Sequence, residues 1–284
     1  MPTEESVRTK NITVQNKFYT YVQNKDKKLH DELCLLAKQL HNHQWTQDQV
    51  YNILDVNSNC YNNCKYCYMK TMKQKFFHVD IENLDMVIND KKVQKKWKKM
   101  PIGKHIMFPS SHDIFDEYID KYISTAKAIL GAGNTLLIVT KPRLSCVTKM
   151  IQELKKQKDK ILFRLTITSD DKRILKYYEP NASTFDERFT CLKKLFDAGF
   201  RTSVSMEPYL SNPKTVIDKI NEYVTDDIWI GTMSGLNTND KIDTAHKSNL
   251  EKIYSKDYVM DMVNNLKNNP KIFWKTSIMK IVLK

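Results

Sequence analysis

Two hydrophobic periods take turns along this chain. From Lys104 onward, short apolar runs with strand character are each followed by a longer stretch in which apolar residues return every three or four positions. The strand-like runs are Lys104–Phe108, Thr135–Thr140, Ile161–Thr168, Thr202–Met206, Ile228–Thr232 and Lys271–Ser277, and one more, Val50–Val56, precedes them. Thr135–Thr140 is almost continuously apolar, which suits a parallel strand buried on both faces. Helices are expected over Phe115–Leu130, Ser145–Lys155, Pro213–Tyr223 and Leu250–Lys267. Another follows Ser183, read as its N-cap with Asp186 as capping-box partner. The stripe of that helix is Phe185, Phe189, Leu192, Leu195 and Phe196, and Gly199 ends it.

Strand–helix repetition of this kind predicts an α/β fold with a parallel sheet and right-handed crossovers. Six or seven units fit a partial (β/α)6-type barrel. Ahead of it, Leu29–Leu40 reads as an amphipathic helix with Leu33, Leu36 and Leu40 on one side, and Met1 to about Asn16 reads as a loose tail. Two parts are therefore expected: a tail and helical extension over 1–48, and the barrel over 49–284.

Composition narrows the class. A length of 284 residues with 41% hydrophobic content supports one large domain with a real core. No run approaches the roughly 18 apolar residues of a membrane span. Met1–Lys10 lacks the apolar stretch of a secretory signal. Cys34, Cys146 and Cys191 are scattered singly, so a disulfide framework is not expected; core packing and a reducing cytosol are. Lys and Arg number 46 against 33 Asp and Glu, a net charge of +13. That balance favours a polyanionic partner such as nucleic acid, the bland counterpart being a composition drifted toward Lys, Asn and Ile. The segment Asp90–Lys99, with Lys91, Lys92, Lys95, Lys96, Trp97, Lys98 and Lys99, reads either as a solvated face or as a phosphate-tracking patch with a stacking aromatic.

Chemistry concentrates in Cys60-Tyr61-Asn62-Asn63-Cys64-Lys65-Tyr66-Cys67-Tyr68, a C-x3-C-x2-C run directly after Val50–Val56. Thiolates are the usual ligands of iron–sulfur clusters. Three of them on a four-iron cluster leave one iron open to a substrate or cofactor. The competing reading is a zinc knuckle completed by His43 or His78.

Other candidates lie at strand ends, where barrels of this type place their sites. Ser110, Ser111, His112 and Asp113 share one tight turn. His112 there suits an acid, base or phosphate contact, and Ser111 or Asp113 alternatively caps the helix beginning near Phe115. Lys141 follows the third strand and suits a carboxylate, or is simply solvated. Arg164, Thr166 and Thr168 share one face by alternation, as do Ser203, Ser205 and Glu207. Thr232 and Ser234 end the sixth strand, and Trp274 is either a stacking platform or core.

The cysteine loop resembles that of the radical S-adenosylmethionine enzymes, including the aromatic Tyr66 before the last cysteine. The segments FRLTITSDDKRILKYYEPNASTFDERF and DAGFRTSVSMEPYL, with CKYCYMK and LLIVTKP, resemble the spore photoproduct lyase branch and its phage-associated relatives. The resemblance implies a [4Fe-4S] cluster on Cys60, Cys64 and Cys67, S-adenosyl-L-methionine as cofactor, and a 5′-deoxyadenosyl radical. It also implies a reducing partner such as flavodoxin or ferredoxin. Lys141 would bind the cofactor carboxylate and Asp113 its amino group; Tyr66, Arg164, Thr166, Thr168, Ser205 and Glu207 are further cofactor candidates. Tyr66 and Tyr68 match relay tyrosines. The hydrogen-donating cysteine of that branch would fall at or near Ser110, which carries no thiol, and Cys146 is a substitute only if it reaches the site. The substrate implied is a nucleic-acid base, for repair or modification. Alternatives are a small nucleotide or peptide substrate, or a non-catalytic metal-stabilised binding module.

Overall fold

A computed structural model describes residues 4–40, 59–78, 86–91, 93 and 100–284. The expected strand Val50–Val56, His43, and Lys92, Lys95, Lys96, Trp97, Lys98 and Lys99 lie outside these residues. Lys91 is described and exposed.

Six strands form one sheet in sequential order: β1 His105–Met107, β2 Thr135–Thr140, β3 Ile161–Thr166, β4 Arg201–Met206, β5 Ile228–Ile230 and β6 Ile272–Trp274. Every pairing is parallel. Parallel neighbours require a crossover, and the intervening helices supply it. With α1 Glu4–Asn24, α2 Lys27–Leu40 and α3 Tyr68–Phe77 preceding the sheet, these are α4 Ile119–Gly131, α5 Leu144–Leu154, α6 Lys172–Tyr178, α7 Phe185–Asp197, α8 Pro213–Ile220, α9 Thr244–Ile253 and α10 Lys256–Leu266; α11 Thr276–Val282 ends the chain. The order is that of a partial (β/α) barrel with N-terminal helices. No helix among the described residues is long and apolar enough to cross a membrane.

Register explains the two chemically distinct faces. Arg164 pairs with Ser203 and Thr166 with Ser205, so the polar faces of β3 and β4 are in phase. The opposite faces, including Phe163, Leu165, Val204 and Met206, are fully buried against the helices.

Several expectations are corrected. The expected loose tail is helical from Glu4, because Val14, Phe18 and Val22 at four-residue spacing enter the main core. The helix after Ser183 is capped by Thr184, whose hydroxyl accepts from Glu187 N–H at 3.2 Å. Ser183 instead turns its carbonyl and hydroxyl to the Arg188 guanidinium, at 3.0 and 3.4 Å. The expected Leu250–Lys267 helix is two helices, because the Ser255 side chain caps a fresh start at Lys256. The last strand stops at Trp274, and a helix follows whose Ile278, Met279 and Val282 are buried. The expected Ile161–Thr168 strand, β3, likewise ends at Thr166, and the helix expected from Phe115 opens with a 3-10 turn before Ile119.

Candidate active site

A cavity of about 440 Å³ opens at the C-terminal ends of the strands, where the cysteine loop meets the loops following β1, β2, β4 and β5. Cys60, Cys64 and Cys67 all line it. So do Tyr66, Tyr68, Ser110, Ser111, His112, Asp113, Lys141, Thr166 and Glu207.

The cysteine loop is fixed from both sides by the rest of the chain. Asn62, buried, donates to Asp113 Oδ2 at 2.7 Å and accepts from Arg143 at 3.2 Å. Lys65 N–H donates to the Tyr178 carbonyl at 2.9 Å, and Asn239 donates to the Lys65 carbonyl at 3.0 Å. Tyr66 donates its hydroxyl to Glu179 Oε1. Glu179 also accepts from Thr168 at 2.9 Å and pairs with Arg188, whose side chain, like that of Glu179, is fully buried. Arg188 in turn donates to the Thr166 carbonyl at 3.2 Å. An unpaired charge at such depth is costly, so the pair is self-consistent only as a pair. Burial alone would raise the Glu179 carboxyl, but the charges of Arg188 and Lys141 and the Tyr66 hydroxyl hold it below the ordinary carboxylate range.

Lys141 and Asp113 form the second electrostatic centre. The ammonium stands 3.7 Å from Asp113 Oδ2 and 5.5 Å from the Tyr66 ring centroid. Asp113 Oδ1 accepts from Lys141 N–H at 2.5 Å and from the Thr140 hydroxyl at 3.2 Å. Burial pushes the Asp113 carboxyl up, yet Lys141 and these donors outweigh it and keep it ionised. The Lys141 ammonium is lowered by burial and raised more strongly by Cys64, Asp113 and Glu179, so it stays charged. The capping alternative for Ser111 and Asp113 fails, since the turn after Phe115 has no side-chain cap and Asp113 is engaged elsewhere.

Burial pushes the Cys60 thiol up to about 11 and that of Cys64 higher still. Two neutral thiols, the buried Cys64 and the half-buried Cys60, beside a third and a retained ammonium are a donor set that gives up protons when iron binds. These residues suit a cluster. The zinc knuckle loses one proposed partner, because His78 is exposed at the far end of the ten-residue α3, about 15 Å along the axis from Cys67.

His112 is buried, its Nε2 has no hydrogen-bond partner, and desolvation lowers it to about 3. It is a neutral imidazole rather than the charged group its sequence position allows. Tyr68 is exposed and donates to the Ser110 carbonyl at 3.1 Å. Glu207 meets Lys275 at 3.2 Å above Gly231.

Five candidates are placed elsewhere. Arg164 is not at the cavity wall: it pairs with Asp227 at 3.0 Å and donates to Ser203 at 2.8 Å, inside the sheet's polar face. Ser205 shares that face without lining the cavity, and Thr168 is committed to Glu179. Cys146 is buried, its thiol 3.4 Å from Asp116 Oδ1, and its side chain does not line the cavity. Trp274 is core. Sequence reasoning missed Asn62, Glu179 and Arg188 as supports of the loop. The available signal was an arginine three residues after Phe185 on the apolar stripe of its helix, with a Glu-Pro pair upstream.

The Radical SAM superfamily model matches residues 55–212, more than half the chain. The protein therefore belongs to the radical S-adenosylmethionine superfamily. It is 26% identical over 182 residues to "Uncharacterized protein ORF301" of Acidianus two-tailed virus, and the match spans 57% of each chain. The chain thus covers little more than half the length of that relative. Spore photoproduct lyase, solved as a double mutant with bound S-adenosylmethionine and dinucleoside spore photoproduct, shares the fold at TM-score 0.53 and 14% identity, over 80% of this chain and 75% of that one. SuiB of Streptococcus suis bound to S-adenosylmethionine matches at TM-score 0.49 and 14% identity, over 88% and 56%.

Proposed function

We propose that Cys60, Cys64 and Cys67 hold the cluster in this cavity and that the substrate is a nucleic-acid base, in lesion repair or base modification. The observation that carries the assignment is the convergence of the three thiols and the charged, buried Lys141 on one cavity. When bound, the cluster and S-adenosylmethionine supply the 5′-deoxyadenosyl radical for hydrogen abstraction.

The chain's own groups do the positioning. Lys141 offers a retained positive charge to the cofactor carboxylate. Glu207 and Thr166, which line the same cavity, offer a carboxylate acceptor and a hydroxyl. Glu179, itself held by Arg188, keeps the Tyr66 ring against the cavity. Asp113 orients Lys141 and Asn62 rather than binding an amino group, since its oxygens are already engaged. His112 presents an unpartnered ring nitrogen that reads a neutral polar edge, the kind a base displays. The net charge of +13 supports a polyanionic substrate, and a base inside a duplex must leave its stack to reach the cavity. Three cysteines committed to such a cluster fit a reducing cytoplasm with flavodoxin or ferredoxin as electron source.

Anaerobic reconstitution with iron and sulfide, then reduction with S-adenosylmethionine, tests the first half: 5′-deoxyadenosine forms, and Cys64→Ala abolishes it. Adding damaged or undamaged DNA and RNA tests the second. A fully loaded enzyme whose cofactor cleavage responds to none of them removes the nucleic-acid substrate while leaving the cysteine assignment standing.

A further inference from the structure

Lys70 stands in the first turn of α3, just beyond Cys67, and is buried while lining the cavity. Its ammonium reaches back over the cysteine loop and donates to the Asn63 side-chain oxygen. Asn63 lies between Cys60 and Cys64, and its own N–H donates to the Cys60 carbonyl at 3.3 Å. The backbone N–H of Lys70 donates to the Cys67 carbonyl at 3.2 Å. The lysine is thus tied to the loop at both ends. Burial and then Lys241 lower its ammonium below the ordinary lysine range, while Cys67, Cys64 and Cys60 pull it up.

Its hydrogen-bond partner is a neutral amide. Among the described residues Lys70 makes no ion pair. Lys141, the other lysine lining the cavity, has Asp113 at 3.7 Å. A buried ammonium without a counter-ion is costly. The first turn of α3 offers no acidic residue, and no side chain caps it. An uncapped helix start itself favours negative charge. Both features point to an anion where the three thiols converge, and a four-iron core on three thiolates is one. Oxidised, it carries a single net negative charge, and the electron that primes it adds a second.

We propose that Lys70 is the built-in counter-ion of the cluster and that its charge raises the potential at which the cluster accepts its electron. The inference rests on the cysteine assignment above and deepens it by naming a further residue that tunes the centre. One electron passes from a low-potential donor of the flavodoxin or ferredoxin class to the core, and no proton moves and no bond changes. The reduced form carries the larger negative charge, so it gains more from the ammonium than the oxidised form does.

The test is a redox titration of the reconstituted full chain without S-adenosylmethionine, followed by electron paramagnetic resonance of the reduced cluster. Wild type is compared with Lys70→Gln, Lys70→Met and Lys70→Arg. Lys70→Gln keeps a donor for Asn63 and removes only the charge. At a fixed solution potential the reduced-to-oxidised ratio is expected to fall about tenfold in both neutral variants, equivalent to about 59 mV for one electron. Lys70→Arg is expected to stay near wild type. Thermal unfolding of the iron-free variants checks the fold. An unchanged midpoint in the neutral variants overturns the inference. So does an equal shift in Lys70→Arg, because shape rather than charge is then what matters. Folded neutral variants that hold no cluster, beside a Lys70→Arg that does, support the counter-ion; loss of the cluster from all three overturns it. An unmoved midpoint with weakened binding of thymidine monophosphate, but not of thymidine, assigns the ammonium to a substrate phosphate and overturns the inference. Wild-type protein that takes up no four-iron cluster overturns the cysteine assignment itself, and this inference with it.

Discussion

Gln15 and Trp274 exchange two hydrogen bonds: the glutamine Nε2 donates to the Trp274 carbonyl at 3.1 Å, and Trp274 N–H donates to Gln15 Oε1 at 3.0 Å. A side-chain amide on α1 thereby occupies the place of a neighbouring strand at the free edge of β6, which would otherwise present unpaired backbone groups. The Trp274 ring joins the same junction through its Nε1–H, which donates to the Tyr19 hydroxyl at 2.9 Å. Gln15→Ala strands a buried donor and acceptor and is expected to cost about 2–4 kcal/mol, read by urea unfolding. A loss below about 0.5 kcal/mol means that the edge does not need its cap.

Arg188→Leu leaves Glu179 charged and buried without its ion-pair partner, with only the Tyr66 and Thr168 hydroxyls as direct donors. The expected destabilisation is about 3–5 kcal/mol, and Glu179→Gln in the same chain is expected to restore much of it. Equal loss in the single and double variants would show that Arg188 acts by packing rather than by charge.

His112 makes a signed prediction for pH. Its ordinary value is 6.5, and the folded chain lowers it to about 3. Above pH 6.5 the ring is neutral in both states and costs nothing. Between 6.5 and about 3 the unfolded chain takes up a proton that the folded chain refuses. Stability therefore falls as pH falls, by up to about 1.4 kcal/mol per pH unit. His112→Gln is expected to flatten that part of the acid limb relative to wild type, measured by urea unfolding at pH 7, 5.5 and 4.5.

Gly231 is where a side chain would collide with the cavity wall. A Cβ there meets Glu207 Oε1 at 2.9 Å and Lys275 Cβ at 3.0 Å. Gly231→Ala is expected to displace Glu207 and weaken S-adenosylmethionine binding about tenfold, the scale of one charged hydrogen bond. Iron content should be unaltered. Calorimetric titration of reconstituted protein separates the two, and unchanged affinity would remove Glu207 from the cofactor's contacts.

Cluster loading should itself depend on pH. The Cys60 thiol, raised to about 11, surrenders a proton on binding iron. Loading at limiting iron should rise with pH, and Cys64→Ala should hold substoichiometric iron at every pH. Iron content that is flat with pH would mean that the thiols are already ionised in the free chain.

Much of the fold was legible because parallel strands announce themselves. Thr135–Thr140 is apolar on both faces, and its position needed no tertiary information. The cysteine spacing was equally plain, as was the in-phase polar face of β3 and β4. Three kinds of error share one cause, which is long-range pairing. The tail looked loose because Gln15 finds its partner 259 residues away. Arg164 shared a face with Thr166, yet alternation fixes the face and not the height, and Asp227 draws it down the strand away from the mouth. Asp113 looked like a free ligand because Asn62 and Lys141 N–H are neighbours in space alone. Glu179 and Arg188 escaped notice because burial of an ion pair leaves no local pattern beyond a charge on an apolar stripe.

The bonds that hold residues 62–66 are all made by the polypeptide itself: Asp113 to Asn62, Tyr178 and Asn239 to Lys65, Glu179 to Tyr66. A finger that folds around its metal collapses when the metal leaves. Here the loop leans on walls of its own, through bonds to three other parts of the chain that pass through no metal.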